Sequence, residues 1–72
     1  MDLIEHVTHE RLRREAVADR LRRLADELSR HNNVPFSRDG IPYEVEVPDE
    51  VDFTFEVEVG DTKSEIEIEI EW

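Results

Sequence analysis

The chain has no cysteine among its 72 residues. That excludes disulfide stapling and any thiolate zinc site, the two commonest supports of a domain this small. It also leaves the redox compartment unmarked. Glycine occurs only twice, too seldom for a glycine-rich phosphate loop or the flexible walls of a pocket. No apolar run approaches the ~20 residues of a membrane-spanning helix. The first residues, Met1-Asp2-Leu3-Ile4-Glu5, carry charge where a secretory signal needs an apolar stretch, so a soluble, cytoplasmic protein is expected. Lysine is almost missing: of nine basic residues only Lys63 is not arginine.

Acidic charge is plentiful. Asp and Glu total 20 and the net charge is −11. Residues 1–38 hold seven acidic and eight basic side chains, a net of +1; residues 39–72 hold thirteen acidic and one basic, a net of −12. High charge with few apolar residues can mean disorder, but the apolar residues here are too regularly phased for that.

Val17, Leu21, Leu24 and Leu28 recur at helical spacing, with Ala18 and Ala25 beside them; this predicts an amphipathic helix over 14–31. Asn32 and Asn33 suit a left-handed stop. Leu12 falls off the stripe and is read as a contact from the entering loop. The period then changes to two. Alternation predicts strands over 33–37, 41–47, 51–59 and 63–72, with turn signals at Asp39-Gly40, Pro48-Asp49-Glu50 and Gly60-Asp61. Turns of two, three and two residues place Phe36 opposite Tyr43, Val45 opposite Phe53 and Phe55 opposite Ile66, all on one apolar face. Residues 1–8 are read as a further strand. Pro35, Pro42 and Pro48 argue for edges or strand ends.

The expected fold is a single α+β domain over residues 1–72: one amphipathic helix on one face of a four- or five-stranded, mainly antiparallel sheet, in the order β-α-β-β-β-β. Leu21, Leu24, Phe53, Phe55, Ile68 and Ile70 should be among its most buried side chains.

The closing EIEIEIEW, preceded by REAVADRLRRLADEL and PDEVDFTFEVEV, resembles the amphi-Trp domain family, small proteins common in halophilic archaea. The likeness runs over nearly the whole chain and ends on Trp72. One departure lies at the helix start, where relatives carry a Ser or Thr cap and this chain has Arg13 and Arg14. The resemblance implies the fold and a salt-loving host; it implies no activity.

Glu44, Glu46, Asp52, Glu56, Glu58, Glu65, Glu67, Glu69 and Glu71 should share the polar sheet face. Opposed like charges destabilise a sheet, and in molar salt screening over about 3 Å removes most of that repulsion. A salt-adapted, hydrated face explains them better than a cation site, since hard cations need converging oxygens. Arg14, Arg20, Arg22, Arg23 and Arg30 could contact phosphate, yet Glu10–Arg14, Asp19–Arg23, Arg22–Asp26 and Asp26–Arg30 are spaced for intrahelical ion pairs. Salt also weakens phosphate contacts. His6 and His9 point to opposite faces of a strand and find no third ligand, so neither metal nor cofactor is expected. Ser29, Ser37 and Ser64 lack a nucleophile's surroundings. Trp72 is either a core cap or an exposed anchor.

The functional expectation is a non-enzymatic module that associates with itself, as a dimer, or with another protein, through strand edges or the helix and not the acidic sheet face, with apolar flank left exposed near Val34, Phe36 or Trp72. The alternative is a nucleic-acid-associated regulator acting through the arginine-rich helix.

Overall fold

The computed structural model describes residues 4–72. One helix, α1 (Arg14–Arg30), precedes four strands, β1 (Asn33–Arg38), β2 (Ile41–Glu46), β3 (Asp52–Val59) and β4 (Ser64–Glu71). The protein is an α+β arrangement of one helix and two antiparallel strand pairs.

The helix begins without help from a side chain. Arg13 occupies the N-cap in extended conformation and makes no capping bond, while its carbonyl accepts from both Ala16 and Val17 N–H. It ends at Arg30. His31 is extended, with its N–H on the Glu27 carbonyl, and the chain enters β1 two residues later. The expected left-handed asparagine stop is absent: neither Asn32 nor Asn33 has a positive φ.

The first hairpin has the expected register, Phe36 opposite Tyr43 and Val34 opposite Val45. Its turn puts Asp39 at φ 53° and Gly40 at φ 77°. Positive φ at both central residues is the two-residue turn whose twist matches a hairpin, and it explains the Asp-Gly pair. Phe36 and Tyr43 stack with ring centroids 5.5 Å apart, and the His6 ring lies 5.2 Å from that of Phe36. The segment entering the helix thus lies over the hairpin, and α1 packs against β1. Leu24, Leu28, Val34, Phe36 and Tyr43 are half-buried there.

The second hairpin differs from expectation by two residues. Phe55 stands opposite Ile68 and Phe53 opposite Ile70, and Gly60 N–H donates to the Lys63 carbonyl at 3.0 Å. Gly60 through Lys63 therefore form the connection, with Thr62 and Lys63 off the ladder. A slip of two keeps every side chain on its face, so hydropathy alternation could not distinguish the two registers.

The largest departure is that the strands form two separate two-stranded sheets, β1-β2 and β3-β4. No continuous meander exists, β2 does not pair with β3, and α1 covers neither strand of the second hairpin. Residues 4–8 are not a strand; the start of the expected N-terminal strand, residues 1–3, lies outside the described residues.

Hydrogen-bond phase gives the physical reason. Val47 N–H donates to the Asn32 carbonyl at 2.6 Å. In an antiparallel pair inward-bonding residues alternate with outward-facing ones. On β2, Tyr43 and Val45 therefore bond inward to β1, and Pro42, Glu44 and Glu46 turn their backbone groups to the outer edge. Pro42 and Pro35, lacking an N–H, both fall on such outward positions. In the second hairpin the Gly60–Lys63 bond sets the opposite phase. Thr54 and Glu56 bond inward to β4, while Phe53, Phe55 and Val57 face the outer edge. Joining β2 to β3 would thus set Glu44 and Glu46 beside Phe53 and Phe55 on one face. Without a bulge the two hairpins cannot share an apolar side.

No common core results. None of the described residues is buried, and of the six side chains expected deepest only Leu24 and Ile70 are half-buried. Leu21, Phe53, Phe55 and Ile68 are exposed. The radius of gyration is 14.2 Å, against roughly 11 Å for a compact domain of this length.

Candidate association surface

The β3–β4 hairpin has two contrasting faces, because its sequence alternates almost without exception. One face carries Phe53, Phe55, Val57 and Val59 from β3 and Ile66, Ile68 and Ile70 from β4. Phe53 is 63% exposed, Phe55 58% and Ile66 67%. Large apolar side chains at this exposure, side by side, form a surface that water solvates poorly. The expected apolar flank lay elsewhere. Val34 and Phe36 are half-buried beneath α1 and His6, and they are not the exposed patch.

The whole surface is too large for a closed domain. The accessible area is 7154 Å², and a compact monomer of 8.5 kDa exposes roughly 4,700 Å². One helix with a four-residue stripe can cover one hairpin and no more. Val17 and Leu21, on the first two turns of that stripe, remain exposed. That arithmetic of one stripe against two hairpins is the sequence signal that could have revealed the bare face.

The opposite face is acidic. Asp52, Glu56 and Glu58 stand directly across from Glu71, Glu67 and Glu65, and Thr54 stands across from Glu69. The expected register, with Phe55 opposite Ile66 and Val45 opposite Phe53, would set Glu56 against Glu65, Asp52 against Glu69 and Glu46 against Asp52; the first two pairings move by two residues, and the third does not form, since β2 and β3 are apart. The Glu67 carboxyl is raised above its ordinary range, first by the charge of Glu65 two residues earlier, then by Glu56 across the ladder, with a hydrogen bond to Glu65, slight desolvation and Glu69 adding to it. Lys63 reaches Glu65 at 3.7 Å. Glu44 and Glu46 belong to the other hairpin, where Asn33 Nδ2 donates to Glu44 Oε2 at 3.2 Å.

The arginines of α1 are paired differently from their spacing. Arg20 reaches back to Glu10, ahead of the helix, at 2.5 Å, and Arg22 pairs with Asp19 at 2.8 Å. None of the four expected i,i+4 pairs is among the ion pairs of the described residues. The entering segment, held by His6 and Glu10, drew Arg20 outside the helix. Among the described residues no three His, Cys, Asp or Glu side chains converge as a metal site, and no helix is long and apolar enough to cross a membrane.

Trp72 is 57% exposed. It lines a hollow with Asn32, Val47 and Pro48, and a second with Val51 and Asp52. It therefore lies against the 47–51 link between the hairpins and caps no core. Another open hollow lies between Pro35, Phe36, Pro42 and Tyr43 on the first hairpin.

Neither the curated proteins nor the solved structures yield a match to this chain. The family comparison does: the Amphi-Trp domain model matches residues 3–72, and the chain belongs to that family.

Proposed function

We propose that this chain is a non-enzymatic association module, salt-adapted, whose apolar hairpin face is covered by another polypeptide. The observation that supports it is the bare row of Phe53, Phe55, Val57, Ile66 and Ile68 in a chain where none of the described residues is buried. Apolar area is worth about 25 cal/mol per Å² removed from water, so covering this face supplies a driving force to set against a docking cost of roughly 4–15 kcal/mol. The acidic face is hydrated and keeps unwanted contacts away on that side. It fits a cytoplasm rich in salt, where screening relaxes the opposed carboxylates. Catalysis gains no support from an open, uncovered surface, which lacks the burial that tunes an acid against a base. The nucleic-acid reading through α1 is weakened by Arg20 and Arg22, whose guanidinium groups already hold carboxylates.

Light scattering across a concentration series in molar KCl tests this. The expected mass is above that of one chain at tens of micromolar. A single-chain mass at hundreds of micromolar, with no partner retained on a column of immobilised protein, would exclude the reading.

A further inference from the structure

We infer that this hairpin associates with a second copy of the chain, joined edge to edge through β3 about a two-fold axis at Phe55, which covers the β3 flank of the apolar face. This rests on the association reading above and adds its partner and geometry.

Bonding phase selects the edge. The outward residues of β3 are Phe53, Phe55 and Val57, and those of β4 are Ile66, Ile68 and Ile70; on β2 they are Pro42, Glu44 and Glu46. Residues directly opposite across a ladder share a face. The second hairpin can therefore extend its sheet with apolar side chains aligned only onto an edge of the same phase. Both edges of the first hairpin have the wrong phase, in this chain or another, whereas a second copy of β3 or β4 has the right one. A β3 edge on a β4 edge is head-to-tail and propagates without closing; β3 on β3, or β4 on β4, closes by two-fold symmetry.

The acidic face decides between the two closed forms. Pairing β4 with β4 about Ile68 sets Glu67 against the partner's Glu69 and Glu65 against the partner's Glu71, each twice. Pairing β3 with β3 about Phe55 sets Thr54 against the partner's Glu56, leaving Asp52 against the partner's Glu58 as the opposed acidic pair. Thr54 is the one uncharged residue on that face of β3 and interrupts the carboxylate ladder where the strands would cross. On the other face Phe55 meets the partner's Phe55, and Phe53 meets the partner's Val57, cross-strand pairs that stabilise a sheet. The product is a four-stranded sheet, β4-β3-β3-β4, apolar on one side and acidic on the other.

Amide hydrogen exchange of the unmodified chain in molar KCl, residue by residue, reads this out. The Phe53, Phe55 and Val57 amides have no partner within the hairpin. In the dimer they should exchange on the order of tenfold or more slower than in dilute, dissociated protein. The Ile66, Ile68 and Ile70 amides should remain fast. Protection of the isoleucines in place of the β3 amides would overturn the proposed edge. A dimer mass without protection at either edge would also overturn it, while leaving association by apolar faces standing. A single-chain mass throughout would remove both. A proline pair gives a second reading: Val57→Pro and Ile68→Pro each delete one outward N–H and spare the β3–β4 ladder. Val57→Pro should weaken the dimer on the order of tenfold more than Ile68→Pro, and equal losses would overturn the assignment to β3.

Discussion

Glu67 stands directly across the β3–β4 ladder from Glu56, with Glu65 and Glu69 two residues away on its own strand. A carboxylate ringed by three others holds its proton more tightly than one in an unfolded chain, which is why its pKa is raised. The sign follows from linkage. A group with a raised folded-state pKa contributes stability while it is protonated and loses that contribution as pH rises through the raised value. At low salt, thermal stability should therefore increase as pH falls from neutral toward the top of the glutamate range. A melting temperature independent of pH over that interval would show that the ladder carries no strain.

Screening should act on the same groups. Raising KCl from tens of millimolar to molar shortens the Debye length from more than 10 Å to about 3 Å. The melting temperature at neutral pH should climb over that range. Glu67→Gln should raise it at low salt, and that gain should disappear in molar KCl. A gain of equal size at both salt concentrations would mean that packing, not charge, distinguishes the variant.

The two connections give separate tests of backbone geometry. Gly40 has φ 77° and open space around it, so Gly40→Ala meets no atom but does meet an unfavourable conformation. A cost of about 1 kcal/mol is expected in urea unfolding. At Gly60 the difficulty is contact: an added Cβ would lie 2.9 Å from the Lys63 carbonyl oxygen. That atom is backbone and cannot swing aside, so Gly60→Ala should cost about 1–3 kcal/mol and broaden the amide signals of 60–63. An unperturbed loop in that variant would contradict the close Gly60–Lys63 approach.

These elements also show how far the sequence could be read. The helix stripe from Val17 to Leu28, the Asp39-Gly40 turn and the facing of every strand residue follow from period and turn chemistry, because each is a local property. The β3–β4 register was ambiguous because slips of two preserve facing. The absence of β2–β3 pairing depends on which residues bond inward, and hydropathy carries no record of that. Pro35 and Pro42 hinted at it by marking the outward positions of the first hairpin. The second hairpin contains no proline, so its opposite phase appears only in the Gly60–Lys63 bond. Trp72 is in phase with Ile70 only as far as it continues β4; its place against the 47–51 link comes from the separation of the hairpins.

Leu24 tests the packing of α1 on β1. It is half-buried, so Leu24→Ala should cost less than a fully buried leucine, about 1–2 kcal/mol. Urea unfolding by circular dichroism would measure it. A change no larger than a few tenths of a kcal/mol, the scale of surface substitutions, would mean that α1 does not rest on this stripe.

Trp72 provides an intrinsic probe, since the chain has a single tryptophan. Trp72 lines hollows with Val47 and Pro48 and with Val51 and Asp52 at the joint between hairpins, and it follows β4, the strand on the far side of β3 from the proposed contact. Dimerisation through β3 would leave the ring's immediate neighbours in place, whereas a contact centred on Trp72 would bury it. Tryptophan emission and its quenching by acrylamide should therefore change little between dilute and concentrated protein at fixed molar KCl, while scattering reports the change in mass. Trp72→Phe should keep the dimer. Loss of quenching in step with the rise in mass, together with a monomeric Trp72→Phe variant, would place the contact at the joint and not at β3. The two readings need the same instrument and one concentration series, so they are separated in a single experiment.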